Sequence, residues 1–378
     1  MWSVLLKYTD KISNTQVVPQ NNIPLFNHLC LNVRSGRQLC EACVDACPVQ
    51  GISLDRDTVN ISECVNCGLC AVACPTGVFD HLWEAAEKVV NFASKHQPHR
   101  SLWVTCSKAP LYRGALRINC LGELVPELVL YLLSHDVGKV NVLYDAQACE
   151  NCDFRSGELL WKKSCEQLSA IYRNDGCFKV SDHLPEREQS NNQQVDITRR
   201  DFFRSLTSGA QQLLVEAVLG ERPEKVYEPF SQSLSLRRKL FIHIISQLNT
   251  IQIKTLDPGY LRHPEIGAEC TFCGSCVKLC PSGAMKIEKL DEDCLGLLND
   301  ATMCNMCGLC ANTCPSKAIK VDWAVPDDQP LQRVLLAQGK RCQCPSCGEF
   351  FWNSKNSGAI LCPGCESSRY KPKLTWDD

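Results

Sequence analysis

The segments CTFCGSCVKLCP (270–281) and CNMCGLCANTCP (304–315) decide how this chain is read. Both run Cys-x2-Cys-x2-Cys-x3-Cys-Pro. The second has a twin, CVNCGLCAVACP at 64–75, with every cysteine offset by 240 residues and Gly-Leu at the same place (Gly68-Leu69 and Gly308-Leu309). Each twin follows another set that ends in Cys-Pro, at Cys47-Pro48 and Cys280-Pro281. The chain therefore contains a duplication. A spacing this tight brings three thiolates around one cluster of iron and sulfide, while the fourth cysteine reaches a neighbouring cluster. Proline after it ends the loop with a fixed φ.

In the later copy the rule applies without adjustment. One [4Fe–4S] cluster takes Cys270, Cys273, Cys276 and Cys314; the other takes Cys280, Cys304, Cys307 and Cys310. Over about 55 residues this stretch resembles bacterial dicluster ferredoxins. Structural zinc does not use interleaved fours that end in Cys-Pro.

The earlier copy departs from the pattern. Cys47, Cys64, Cys67 and Cys70 form a regular set. The other half reads Cys40-x2-Cys43-x3-Cys47, and its first ligand position is Arg37, which cannot bind iron. Cys30, seven residues earlier, is the expected substitute, giving Cys30, Cys40, Cys43 and Cys74. The alternative is a three-cysteine [3Fe–4S] site with Cys30 as a small buried residue. Cys294, between the motifs of the later copy, is expected to be a packed thiol.

Composition supports metal over disulfides. There are 28 cysteines among 378 residues, and the net charge is −2. The apolar share of 44% counts those cysteines; without them it is about 37%, modest for this length. The start MWSVLLKYTDKISNTQ lacks the pattern of a signal peptide, and no apolar run approaches a membrane span. A reducing, cytoplasmic setting follows, with no direct membrane insertion and no charge bias toward nucleic acid.

Between the copies, SLWVTC (101–106), LRINC (116–120), KVNVLYD (139–145) and FKVSDHL (178–184) read as short strands. LGELVPELVLYLLSHD (121–136) and SGELLWKKSCEQLSAIYR (156–173) read as helices. This alternation predicts a parallel sheet. Cys106, Cys120, Cys149 and Cys152 fall at or after strand C-terminal ends, which share one edge of such a sheet. The segments CSK, RINCLGELVPELVL and CENCDFRSGEL resemble the small iron–sulfur (delta) subunit of methyl-viologen-reducing hydrogenase. The same domain ends some heterodisulfide reductase A subunits. That resemblance, over about 70 residues, implies a [2Fe–2S] cluster on the four cysteines, and a hydrogenase, formate dehydrogenase or heterodisulfide-reductase-like partner. Family members often open with a Cys-x2-Cys pair, and Trp103 stands where its first cysteine would be; buried or redox-active thiols are the competing reading. Cys165 and Cys177 read as core residues.

The tail carries Cys344-x2-Cys347 and Cys362-x2-Cys365, two knuckles 14 residues apart. They look like a zinc ribbon, with FFWNSKNSGAI as a connecting hairpin; rubredoxin-type iron is the alternative. Cys342 is an extra thiol beside the first knuckle. Thr198-Arg199-Arg200-Asp201-Phe202-Phe203 resembles a twin-arginine export motif but reads as a helix start capped by Thr198.

The expected fold is multidomain, α+β and α/β. Two ferredoxin-like dicluster modules (1–82 and 262–325) flank a parallel-sheet α/β domain (83–184). A linker with helices near 199–219 and 233–249 occupies 185–261, and a zinc ribbon occupies 326–378. The chain has no G-x-G-x-x-G fingerprint, no C-x3-C-x2-C spacing and no triad of catalytic residues. The leading function is single-electron relay within an anaerobic-type oxidoreductase complex. Two alternatives stand beside it: thiol or disulfide reduction at the middle cysteines, and a scaffold for cluster assembly or docking.

Overall fold

The computed structural model describes residues 24–79, 82–95, 101–109, 114–135, 137–171, 176–182, 232–247, 261, 263–324, 333–354 and 361–369. The expected linker at 184–196, the helix near 199–219 and the Arg199-Arg200 motif lie outside them. The chain divides into two compact units, 1–257 and 258–378.

The first unit opens with three one-turn helices, α1 (Leu31–Ser35), α2 (Ala42–Ala46) and α3 (Leu69–Ala73), around a hairpin of β1 (Ile52–Leu54) and β2 (Val59–Ile61). An antiparallel bridge from Leu25 to Phe79 closes this segment on itself. Helix α4 (Leu82–Lys95) follows. Its Ala85, Ala86, Val89, Val90 and Ala93 recur at helical spacing and are all buried.

The middle strands form the expected sheet. Strands β3 (Ser101–Cys106), β4 (Leu116–Ile118), β5 (Lys139–Leu143) and β6 (Phe178–Ser181) lie in the order β4-β3-β5-β6, and every pairing is parallel. Two details differ from expectation. Cys120 lies two residues beyond the end of β4 rather than closing it. The single helix expected over 121–136 is instead a 3-10 turn, Leu121–Glu123, followed by α5 (Pro126–Ser134). Pro126 has no N–H to continue a helix from the preceding turn and starts a new one instead. Short α6 (Ala146–Glu150) and long α7 (Ser156–Ile171) complete the set.

Helix α8 (Leu236–Gln247), the described part of the helix expected near 233–249, packs on α5. Arg237 grips the buried Glu127 carboxylate through Nε and Nη2, with contacts of 3.0 to 3.2 Å.

In the second unit, β7 (His263–Ile266) pairs antiparallel with a later strand; between the two lie α9 (Ser275–Leu279), the hairpin β8 (Met285–Asp291) and β9 (Cys294–Asn299), and α10 (Leu309–Asn312). The partner of β7 is β10 (Ile319–Ala324). Strand β11 (Val334–Gln343) pairs with β9 on one side and with β12 (Phe350–Ser354) on the other, giving the order β12-β11-β9-β8. The tail and the insertion between the two cysteine motifs thus share one sheet. Strand β12 turns back on β11 around the first knuckle; the rest of the expected connecting hairpin, 355–360, lies outside the described residues. Helix α11 (Pro363–Arg369) starts inside the second knuckle. Cys294 is buried in the shared sheet, opposite Lys340 of β11.

Candidate metal centres

Three of the four ligand loops share one backbone form. In Cys64–Cys70, Cys270–Cys276 and Cys304–Cys310, the residue before the middle cysteine and the glycine after it both have positive φ. They are Asn66 and Gly68, Phe272 and Gly274, and Met306 and Gly308. Three non-glycine residues thus hold a left-handed conformation, each at a cost of about 1–2 kcal/mol. Amides turn toward sulfur in return: Asn66 N donates to Cys64 Sγ and Met306 N to Cys304 Sγ, each at 3.4 Å. Every Cys-Pro segment adds a second signature. The third residue after the cysteine has positive φ in all four: Gln50, Gly77, Gly283 and Lys317. Past it, Gly51 N donates to Cys47 Sγ (3.3 Å) and Val78 N to Cys74 Sγ (3.4 Å). Amide donors of this kind favour thiolate over thiol.

The fourth loop is different. Glu41, in the position of the glycine, has a φ of −126°, and Arg37 is exposed. Cys30 comes in from another direction, as the N-cap of α1. Its segment is tied down at three places. Phe26 N donates to Val78 O at 2.8 Å. Asn27 takes the amide of Val59 at 3.1 Å and donates to Thr58 Oγ1 at 3.0 Å. Asn32 accepts the amides of Leu39 (2.8 Å) and Cys40 (2.9 Å) and donates to Cys40 O (2.8 Å). Cys30, Cys40, Cys43 and Cys74 line one recess with Leu54, Val59 and Val78.

Burial raises the thiol pKa values of Cys30, Cys40 and Cys43, and the facing sulfurs raise them further; Cys43 reaches about 12. Each of the four sulfurs is within electrostatic reach of the other three. Four thiolates this close repel one another until a cationic core is placed among them.

The regular sets behave in the same way. Burial, then Cys47 and Cys64, push Cys67 up to about 11, and Cys70 is raised by burial together with Cys67 and Cys64. Cys276 rises to about 12 through burial and Cys270, Cys273 and Cys314. Cys307 is raised by burial and by Cys304, Cys280 and Cys310; Cys310 reaches about 12. In both copies the third cysteine also feels the partner site: Cys70 feels Cys43 and Cys74, and Cys310 feels Cys276.

Residues 38–78 and 253–319 each match the 4Fe-4S dicluster domain family. The two segments are 4Fe-4S dicluster modules. A stretch of 67 residues is also 42% identical to the putative oxidoreductase UacF of Escherichia coli (strain K12), over 17% of this chain and 9% of that protein. The chain therefore spans less than a tenth of that relative's length. Cys30 lies outside the matched 38–78. No helix among the described residues is long and apolar enough to cross a membrane.

The middle cysteines converge as well. Cys106, Cys120, Cys149 and Cys152 line a recess with Lys108, Phe154, Gly157, Glu158 and Trp161. Burial, Glu123, Cys106 and Cys149 push Cys120 up to about 12, and burial, Cys106, Glu158 and Cys152 push Cys149 up to about 11. Gly122 N reaches Cys120 Sγ and Phe154 N reaches Cys152 Sγ, both at 3.4 Å. Four sulfurs from separate segments thus face one recess, a donor set of the kind a metal centre uses. Trp103 is buried in β3 and stays out of the recess. Cys165 and Cys177 are half-buried and stand outside it too.

In the tail, the sulfurs of Cys344, Cys347, Cys362 and Cys365 lie within 4.8 Å of one another. Cys362 N donates to Cys344 Sγ, and Cys365 N to Cys362 Sγ, each at 3.4 Å. The Cys362 amide, with those of Cys347 and Ser346, holds Cys344 down at about 6. Cys342 points away, its thiol toward Lys340 O.

Sequence reasoning missed Asn32, which carries no motif, and the pair Gly122 and Gly157. A glycine in the first turn of a helical pattern was the available signal for that pair.

Proposed function

We propose that the chain relays single electrons through four [4Fe–4S] clusters, held by Cys30, Cys40, Cys43 and Cys74; Cys47, Cys64, Cys67 and Cys70; Cys270, Cys273, Cys276 and Cys314; and Cys280, Cys304, Cys307 and Cys310. The middle cysteines add a [2Fe–2S] centre and the tail a zinc ion. The setting is cytoplasmic, within a hydrogenase, formate dehydrogenase or heterodisulfide-reductase-like complex. The observation that supports the reading is the duplicated dicluster motif, with the 4Fe-4S dicluster domain family matching both copies. The partner classes rest on the middle-domain resemblance alone.

Such clusters supply reversible one-electron storage at potentials set by their surroundings. The chain's own residues do the tuning. Gly51, Asn66, Val78 and Met306 aim amides at ligand sulfurs, and this hydrogen bonding favours the reduced, more negative state. Burial of Cys30, Cys43 and Cys74 keeps water off the first site and disfavours added charge there. Asn32 holds the Cys40 loop against the Cys30 helix. The tail site anchors β11 and β12 beside the third cluster's loop.

Iron, sulfide and zinc analysis of anaerobic protein, with EPR after reduction, tests the proposal. Expected are ~16 irons from the cubanes, ~18 with the middle centre, and about one zinc. Far fewer than about 12 irons would overturn it.

A further inference from the structure

We propose that the three cysteine sites of the first unit form one linear electron path. It runs from the middle site through Cys47, Cys64, Cys67 and Cys70 to the Cys30 site, and Gly157 sets its first step. The inference rests on reading the middle cysteines as a metal centre.

The joint between the first module and the sheet domain is tight, and it is built on ligand loops. Leu69 sits inside the Cys64–Cys70 loop and is fully buried. It packs in one apolar cluster with Cys67 and Ala46, against Cys120, Phe154 and Leu160. A Cβ on Gly157 would lie 2.5 Å from Cys120 Sγ and 3.0 Å from Leu69 Cδ2. A Cβ on Gly122 would lie 2.7 Å from the same Leu69 methyl and 2.8 Å from Gly157 O. Any side chain at 157 would wedge the sulfur of one site away from the loop of the next. Two hydrogen bonds lock the joint: Ser156 Oγ donates to Ala46 O at 2.9 Å, and Asn119 Nδ2 to Asn66 O at 3.5 Å. Asn119 precedes Cys120 and Asn66 precedes Cys67, so each ligand loop is held directly by the other.

The second step is also fixed. Helix α2, which carries Cys43, packs on α3, which carries Cys70 and ends at Cys74. Exposure gives the direction of access. All four middle cysteines are half-buried, as are Cys47, Cys64 and Cys70, and Cys152 and Cys47 border one open groove with Val65 and Phe154, so electrons enter at this end of the path. At the far end Cys30, Cys43 and Cys74 are buried.

In each step one electron leaves a reduced centre, which is oxidised by one, and enters the next, which is reduced by one; no bond or proton moves. An external one-electron reductant refills the middle site, dithionite in the test below. Transfer falls steeply with separation, so a wedge at 157 acts on the first step alone.

The test uses the full chain, reconstituted anaerobically and reduced with excess dithionite, and compares EPR line shapes with iron content. Wild type should show spin–spin broadening between the middle centre and a [4Fe–4S] neighbour. Cys149→Ala/Cys152→Ala should lose about two irons and that broadening together. Gly157→Ala should keep its iron and lose part of the broadening, whereas Leu159→Ala, at an exposed neighbour, should match wild type. A fall in iron with unaltered line shape would overturn the path alone. Unchanged iron in the double variant would overturn the reading of the middle site, and the path with it. Should Gly157→Ala itself lose iron, the double-variant comparison decides.

Discussion

The side chain of Asn32 clasps the backbone of Cys40 from both sides, taking its amide at 2.9 Å and giving a hydrogen to its carbonyl at 2.8 Å. The same oxygen takes the Leu39 amide. The helix that begins at Cys30 and the loop that presents Cys40 are thereby one rigid piece. Asn32→Ala removes three bonds of about 1 kcal/mol each and leaves two half-buried amides without that partner. Iron analysis of that variant should show about four fewer atoms per chain, with the other three clusters intact by EPR.

Cys30 itself gives a sharper outcome. Cys30→Ala leaves three cysteines, and the oxidised protein should show the EPR signal of a [3Fe–4S] centre with about one iron lost. Arg37→Ala should leave both measurements as in wild type. Full iron content in Cys30→Ala, with no new signal, would exclude Cys30 as a ligand.

Gly339 of β11 lies against the ring of Phe272, between Cys270 and Cys273; an added Cβ would sit 2.6 Å from that ring. Gly339→Val must push the ligand loop or the strand aside, at a cost of about 1–3 kcal/mol. We expect a lower thermal midpoint and faster loss of about four irons in air, read by absorbance. Gly348→Ala, where no atom approaches the added Cβ, strains only a turn and should not release cluster iron.

Arg237 and the buried Glu127 offer a double-mutant test. Arg237→Ala leaves a carboxylate buried alone and should cost about 3–5 kcal/mol. Arg237→Ala/Glu127→Leu should recover most of that in denaturant titrations. Equal losses in both variants would show that the pair contributes nothing beyond packing.

His263 is buried and bonded to Asn299 Oδ1 at 2.8 Å. Burial lowers its pKa below the usual 6.5. Because the unfolded chain binds the proton more readily, His263 contributes full stability above about pH 6.5. That contribution is lost as pH falls through the lowered folded value. Unfolding midpoints measured between about pH 7 and 5 should fall in wild type and fall less in His263→Gln.

The ligand loops were legible in the sequence because their geometry is local. With two residues between cysteines, the backbone can bring the sulfurs together in few ways, and Gly68, Gly274 and Gly308 mark where it turns left-handed. The parallel sheet was legible for a similar reason, since strand and helix periods alternate at short range. Pro126 divided a helix that periodicity alone runs through, because a missing N–H outweighs an apolar pattern.

Motif spacing by itself determined three regular cysteine sets, the duplication and the tail knuckles. Only the tertiary structure brought Cys30 into one recess with Cys40, Cys43 and Cys74. It alone put Cys120 against the Leu69 loop and bound the tail to the module insertion through β11 and β9. Each of these joins residues far apart in the chain. Their meeting depends on hydrogen bonds such as Asn32 to Cys40 and Ser156 to Ala46, and on the missing side chain at Gly157. No spacing rule encodes such contacts, since what holds them is packing between elements rather than the reach of one loop.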